Sequence, residues 1–172
     1  MLTLWPRRDL SATGLPSADK VLANYLHKII GYIEWPGIAF ADPAASIVVG
    51  VMGSQDMFEA LSRAVSGRPV HGRTIEVRQL VASEGASTNL HLLHVSAAAW
   101  AVRAHAKAAS RERPPVLTTD ALGGVDQGAT IGFTLAEEGV RIEASLPAAD
   151  VAGVKLSSRL LVVADRVVER PK

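Results

Sequence analysis

The sequence predicts an α/β fold: one domain with a single mixed β-sheet flanked by helices on both faces, in a three-layer αβα-like arrangement. Three observations predict it. The chain has 172 residues, which suits one core rather than two. Short β-branched runs alternate with helical patterns, which favours parallel βαβ units. Towards the C-terminus two such runs are joined directly by a glycine-containing turn, which predicts an antiparallel hairpin.

The first predicted helix begins after Ser17, whose side chain can cap it. Residues 1–16 lack periodicity and are predicted to be a flexible leader, so the domain covers residues 17–164 and a C-terminal tail covers residues 165–172. Pro36 cannot continue a helix, so Glu34-Trp35-Pro36 is predicted to end it, with Trp35 filling the junction with the sheet. The apolar face of this helix recurs at spacings of three and four, at Val21, Leu22, Tyr25, Leu26, Ile29, Ile30 and Ile33.

Six further segments are rich in β-branched or alternating apolar residues and predict strands. They cover residues 46–52, 73–80, 90–95, 116–119, 130–135 and 140–146. The first is apolar throughout, which is typical of a strand buried on both faces. The second alternates with charged residues, so one of its sides is expected to face solvent. The last two are joined by residues 136–139, where Gly139 can supply the positive φ of a hairpin turn.

Three further helices are predicted from capping residues and periodic apolar positions. They run from Ser54 to Gly67, over residues 97–110 after Ser96, and over residues 147–152 before Gly153. Residues 154–163 fit two alternatives: Ser157 can cap one more helical turn, or residues 160–163 can form a final strand.

The composition excludes several classes of function. Lys+Arg number 18 and Asp+Glu 17, so no single-sign field attracts nucleic acid or an anionic membrane. No stretch of about 20 apolar residues would insert into a membrane. The chain has no cysteine, which excludes disulfides and thiolate metal sites. No apolar run follows Arg7-Arg8, so we expect either a cytoplasmic protein or an exported one whose signal peptide is not present in the given chain.

No motif in the sequence indicates catalysis, a cofactor or a metal. His91 and His94 lie three apart on a predicted strand and therefore point to opposite faces, so they cannot share one ion. Gly50 and Gly53 surround a strand end, but neither the dinucleotide fingerprint nor the P-loop is present. The helix start at Ser54 offers only the weak anion attraction of any helix N-terminus. We therefore predict that the protein is not an enzyme.

Candidate binding residues are few. Lys155, Ser157, Ser158 and Arg159 form a polar cluster that would hold an anionic ligand or, in the simpler alternative, a solvated helix cap. Trp5 and Trp100 are candidate interface anchors if they are exposed, because aromatic residues are favoured there. Trp100 fits the core equally well. Trp35 is the other aromatic candidate, for a partner or a small ligand.

Several segments resemble the YfiR family of small periplasmic proteins. They include KVLANYLHKIIGYIEWP at residues 20–36, IVVGVMG at 47–53 and GRTIEVR at 72–78. The C-terminal third is the most specific part, with LGG at 122–124, ATIGFTL at 129–135, GVRIEA at 139–144 and AGVKLSSRLL at 152–161. The resemblance covers about residues 20–164.

The resemblance implies a periplasmic regulator, often dimeric, that restrains an inner-membrane diguanylate cyclase by contacting its periplasmic domain and so lowers cyclic di-GMP and biofilm formation. It also implies relief of that restraint by an outer-membrane lipoprotein. The best-known members carry disulfides that this chain cannot form, so redox sensing does not transfer. The family's glycine loop is also interrupted, by residues 125–128. The alternative is a sensory module that binds a nucleotide- or amino-acid-sized solute.

Overall fold

A seven-stranded mixed sheet organises the chain, and this confirms the predicted fold class. The computed structural model describes residues 16–81, 89–108 and 113–171, so residues 1–15 of the predicted leader lie outside the described residues. The helices are α1 (Ala18–Ile30), α2 (Gln55–Val65), α3 (Leu146–Ala152) and α4 (Ser158–Val163), with 3-10 helices at Gly37–Ala39, Ala97–Ala108 and Val125–Gln127. The strands are β1 (Ile33–Glu34), β2 (Ile47–Met52), β3 (Ile75–Leu80), β4 (Leu92–Val95), β5 (Val116–Thr119), β6 (Ile131–Ala136), β7 (Gly139–Ser145), β8 (Lys155–Leu156) and β9 (Arg166–Val168).

The strand order in the large sheet is β3-β2-β4-β5-β6-β7-β9. The first five strands of that order run parallel, and β6 and β7 form the predicted antiparallel hairpin. Every residue of β2 is buried, as its unbroken apolar run predicts, because β3 and β4 pair with its two edges. The amino ends of the parallel strands therefore meet at one edge of the sheet.

Two apolar clusters cover the two faces of this sheet. One face carries α1, α2, α3 and α4, which pack on β-strand side chains such as Val49, Leu92 and Phe133. The other carries the 3-10 helices Ala97–Ala108 and Val125–Gln127, where Trp100 packs with Met52 and Val95. No helix within the described ranges is long and apolar enough to cross a membrane.

The first helix ends earlier than its pattern predicts. The Ser17 hydroxyl accepts a hydrogen bond from Lys20 N–H, as expected of a cap, but α1 stops at Ile30 rather than at the Glu34-Trp35-Pro36 segment. The chain turns at Gly31 so that Ile33, fully buried, pairs with Leu156 in the small β1–β8 sheet. The prediction that this segment ends the helix is wrong, because strand pairing competes with the helical periodicity.

The segment after β4 also differs from its prediction. It is a 3-10 helix, Ala97–Ala108, and the first N–H group of that helix donates to Asp120 Oδ1 at 2.7 Å rather than to the predicted Ser96 cap. The Ser96 hydroxyl is buried without a hydrogen-bond partner in the described part of the chain. Residues 109 and 110 of the predicted helix lie outside the described residues.

The C-terminal region resolves the alternative that the sequence leaves open. Ser157 accepts a hydrogen bond from Arg159 N–H and caps α4, so the helical alternative is correct. The segment predicted to be a tail contains β9, whose residue Val167 pairs with Ala144 at the edge of the large sheet. Asp165 holds the start of β9 beside β7, because its N–H donates to Ile142 O and its carboxylate accepts from Ile142 N–H.

Candidate functional site

A groove of 1210 Å³ lies at the amino-terminal edge of the parallel strands. Its wall is the segment from Trp35 to Ser46, which connects β1 to β2. The opposite side is formed by the outer edge strand β3 and by the residues that precede β4 and β5. The groove mixes apolar and charged side chains, including Trp35, Ile38, Phe40, Glu76, Arg78 and Arg113.

His91 holds the wall of the groove in place. Its Nδ1 accepts a hydrogen bond from Val48 N–H at 3.0 Å, and its Nε2 lies 2.9 Å from Ala39 O. A ring that accepts at one nitrogen must be neutral, and it then donates from the other, so the tautomer is fixed with the proton on Nε2. Burial lowers the pKa of His91, and the positive charge of Arg73 lowers it further. One imidazole thus connects the wall to Val48, the second residue of β2.

Aromatic packing extends this fixed arrangement. Phe40 stacks on His91 with ring centroids 4.6 Å apart, and Trp35 meets His91 edge-on at 6.3 Å. The Arg73 guanidinium lies 3.7 Å from the Phe40 ring centroid and donates to the carbonyl oxygens of Asp42 and Ala45. These contacts bind the wall, which apart from the 3-10 helix Gly37–Ala39 is irregular, to Arg73 just before β3.

One side chain of the wall stands out into solvent. Ile38, in the 3-10 helix that follows Pro36, is 78% exposed; Gly37 before it is also exposed, and Ala39 after it is half-buried. Ala152 of α3 lines the same groove, and Val151 beside it is also exposed. A single exposed apolar side chain is ordinary on a protein surface, so Ile38 is a candidate contact for a partner because of its place on the groove wall.

The predicted binding residues do not form one site in the structure. Trp35 lies in the groove wall, and its Nε1 is buried without a hydrogen-bond partner among the described residues. The predicted polar cluster lies beside the groove and does not line it. Lys155 is directly across from Glu34 in the β1–β8 ladder, Ser157 is used as the cap of α4, and Ser158 and Arg159 are exposed in its first turn.

Trp100 lies in the core, which agrees with the second of its two alternatives. It is 6% exposed, and its Nε1 donates to Gln127 Oε1 at 2.8 Å. It is therefore not an exposed anchor for a partner. Trp5, the other aromatic candidate, lies outside the described residues.

The carboxyl edge of the sheet, where many α/β proteins bind ligands, is poorly suited to an anion here. Ser54 caps α2 by accepting from Met57 N–H at 3.0 Å, which uses the helix start internally. Burial raises the pKa of Asp19, and the carboxylates of Asp56 and Asp120 raise it further, so negative charge already gathers at this edge. Gly53 is required by packing, since a Cβ there would lie 2.3 Å from Ser96 Oγ.

His91 and His94 lie on opposite faces of the sheet, as the strand periodicity predicts. His91 faces the groove wall, whereas His94 is buried on the helical face against Phe133, with Nδ1 3.0 Å from Thr118 Oγ1. Burial lowers the pKa of His94 to about 4, so the ring is neutral at ordinary pH. Within the described ranges, no group of three His, Asp or Glu side chains is arranged to hold a metal ion.

Sequence reasoning missed the residues that build the groove. Phe40 and Arg73 are far apart in the chain, and only the path of the wall brings them into contact. Arg113 lies between the helix predicted over residues 97–110 and the strand predicted over 116–119, and belongs to no motif. The one available signal was Gly72-Arg73, which occurs in a segment that resembles a known family but carries no local structural requirement for arginine.

Comparisons with known proteins identify the family. The family model described as YfiR/HmsC-like matches residues 19–165. No protein of curated function matches the chain. Among solved structures, a conserved domain protein from Vibrio cholerae O1 biovar eltor is similar in fold, with a TM-score of 0.55 and 11% sequence identity over 88% of this chain. This chain spans 60% of that protein's length, and the likeness concerns the fold alone.

The family match extends from the first turn of α1 to the residue before β9, so it includes the groove wall, β3 and the small β1–β8 sheet. On that coverage, the chain belongs to the YfiR/HmsC-like family.

Proposed function

We propose that this protein is a periplasmic regulator that restrains an inner-membrane diguanylate cyclase by docking on the periplasmic domain of that enzyme. Membership of the YfiR/HmsC-like family carries the proposal, because it supports a regulatory rather than a catalytic role in cyclic di-GMP signalling. An outer-membrane lipoprotein that competes for the same protein would release the cyclase.

The groove wall offers a surface suited to this role. Ile38 is a branched apolar side chain exposed on a segment that His91 and Arg73 hold rigid, so binding through it costs little ordering of the backbone. A repressor must also be released, so its affinity for the target has to be low enough for a competing partner to displace it. A small apolar anchor with a polar rim, here Glu76 and Arg78, fits that moderate affinity.

A matched pair of variants tests the docking surface. Ile38 and Leu122 are both 78% exposed, but Ile38 lies on the groove wall whereas Leu122 follows the carboxyl end of β5, at the opposite edge of the sheet. We expect Ile38→Asp to weaken binding to the purified periplasmic domain of the cyclase encoded nearby, and Leu122→Asp to leave it unchanged. Equal effects of the two substitutions would contradict docking through the groove wall.

The groove favours a second candidate function, the binding of a small solute. Its volume admits a ligand of vitamin size, and the buried Trp35 Nε1 needs an acceptor that the described residues do not provide. Arg78 and Arg113 line the same groove and would favour an anionic ligand. Thermal-shift screening of carboxylate and phosphate metabolites tests this candidate: a stabilising hit that Trp35→Phe abolishes supports it, and stabilisation that persists in Trp35→Phe argues against it.

A further inference from the structure

The strand β3 leaves one edge of the sheet unpaired among the described strands. It pairs with β2 on one side and ends the strand order on the other. The strand β9 ends the order on the opposite side of the sheet, where its Arg166 forms ion pairs with Asp126 and Glu143. An open strand edge exposes main-chain N–H and C=O groups that readily pair with another strand.

The ladder with β2 fixes which groups of β3 face outward. Ile47 N–H donates to Thr74 O at 2.9 Å, so in a parallel ladder the even-numbered residues of β3 bond to β2. The N–H and C=O groups of Ile75, Val77 and Gln79 therefore point away from the sheet. An antiparallel neighbour can bond only to these three residues.

The side chains on the groove face of β3 have alternating charge. Glu76 and Arg78 both line the groove, and Arg78 Nε donates to Glu76 Oε1 at 2.7 Å. The two side chains remain 49% and 38% exposed. Charged residues on an edge strand usually discourage pairing, but an acid and a base two residues apart are complementary to their own antiparallel copy.

We propose that two copies of this chain pair β3 with β3 in antiparallel fashion around a twofold axis at Val77, which joins the two sheets into one. In this register Val77 bonds to its own counterpart, and Ile75 bonds to the partner's Gln79. Glu76 then lies directly opposite the partner's Arg78, in a non-hydrogen-bonded pair whose side chains are closest.

Charge selects this register over its neighbours. The outward groups of Ile75, Val77 and Gln79 also allow a twofold axis at Glu76 or at Arg78. The first places two carboxylates directly opposite each other, and the second places two guanidinium groups opposite each other, and both arrangements are destabilising. Only the axis at Val77 pairs opposite charges, and it does so twice.

The pairing also completes the groove. Glu76 and Arg78 form its outer rim, so in the dimer Arg78 of the partner subunit stands beside Glu76 at that rim. Each groove then has a second wall from the other copy. The proposal depends on the geometry of β3 alone and stands whether or not a cyclase is the target.

A pair of single-cysteine variants tests the register, because the chain contains no other cysteine. Glu76→Cys and Arg78→Cys, when mixed and oxidised gently, are expected to form a disulfide between the two kinds of chain. Directly opposite Cα atoms are about 4.5 Å apart in such a pair, within disulfide range. Each variant alone is expected to cross-link poorly, since its two cysteines would be diagonal and about 7–8 Å apart. Efficient cross-linking of either variant alone, or none in the mixture, would overturn the register.

Charge reversal gives a second readout that does not depend on cysteine chemistry. Glu76→Arg and Arg78→Glu are each expected to weaken the dimer at least about tenfold in sedimentation equilibrium, and the double reversal is expected to restore it. Glu59→Arg, which breaks the exposed pair with Arg63 on α2, serves as the control and should leave the dimer intact. A wild-type protein that stays monomeric at millimolar concentration would refute the interface.

Discussion

At the scale of single residues, His91 is the side chain on which the groove wall depends. His91→Ala would leave Val48 N–H and Ala39 O without their partner and would remove the ring on which Phe40 stacks. We expect the free energy of unfolding to fall by about 2–3 kcal/mol, the cost of leaving buried polar groups unpaired and losing a stacking contact. Urea denaturation measures this, with His71→Asn as control, because His71 is exposed at a positive φ of 52° that asparagine tolerates. An equal loss in both variants would contradict the role of His91.

His94 makes the stability of the core depend on pH. Burial lowers the pKa of His94 to about 4 in the folded protein, against 6.5 for an unburied histidine. The unfolded chain therefore binds the proton first, so stability is complete above pH 6.5 and declines as the pH falls from 6.5 to about 4. The loss attributable to His94 amounts to about 3 kcal/mol over that window.

Chemical denaturation across this pH range measures the effect, and other titrating groups cancel in the difference between the wild type and His94→Gln. Glutamine keeps a hydrogen-bonding amide beside Thr118 but does not titrate. We expect the wild type to lose more stability than the variant on acidification. Parallel pH profiles for the two proteins would show that His94 is not responsible.

At the scale of secondary-structure elements, Gly53 determines how β2 connects to α2. Its φ is 94°, and a Cβ would approach Ser96 Oγ to 2.3 Å and Ala99 Cβ to 2.5 Å. Gly53→Ala therefore combines backbone strain with a collision against the 3-10 helix on the far face of the sheet. We expect a loss of about 3 kcal/mol in the free energy of unfolding.

Gly128→Ala is the matched control for this prediction. Gly128 also has a positive φ, of 106°, but no atom lies within 4 Å of the position that a Cβ would occupy, so only the backbone strain remains. Its loss is expected to be about 1 kcal/mol. If the two substitutions destabilise the protein equally, close packing is not the reason for glycine at position 53.

The sequence predicts best those elements whose apolar pattern or turn residues lie within one continuous segment. β2 is apolar in every position and is buried in every position, and the β6–β7 hairpin follows from its glycine turn. α1 ends early because Ile33 satisfies the helical period and also fits a strand opposite Leu156. Because Leu156 lies more than 120 positions from Ile33 in the chain, the sequence around α1 does not reveal this pairing.

The groove was less predictable than the fold. Trp35 is a candidate from the sequence, for a partner or a small ligand, but the wall that it begins has no periodicity. Its shape comes from His91, Phe40 and Arg73, which belong to three separate segments and meet only after the sheet has formed. A site assembled from long-range contacts of irregular backbone cannot be derived from spacing.

At the scale of the whole molecule, the proposed function uses surfaces at one edge of the seven-stranded sheet. Its two proposed contacts, the groove wall and the β3 edge, border the same groove, since Glu76 and Arg78 of β3 line it opposite Ile38. A dimer would therefore present two grooves to its target.

The most direct test of the central claim is the cellular level of cyclic di-GMP in a strain that contains the neighbouring membrane cyclase. Deletion of this protein is expected to raise cyclic di-GMP, and an exported wild-type copy is expected to lower it again, whereas an exported Ile38→Asp copy is not. Cyclic di-GMP that stays unchanged on deletion and on restoration of the exported protein would contradict the proposed restraint of a cyclase.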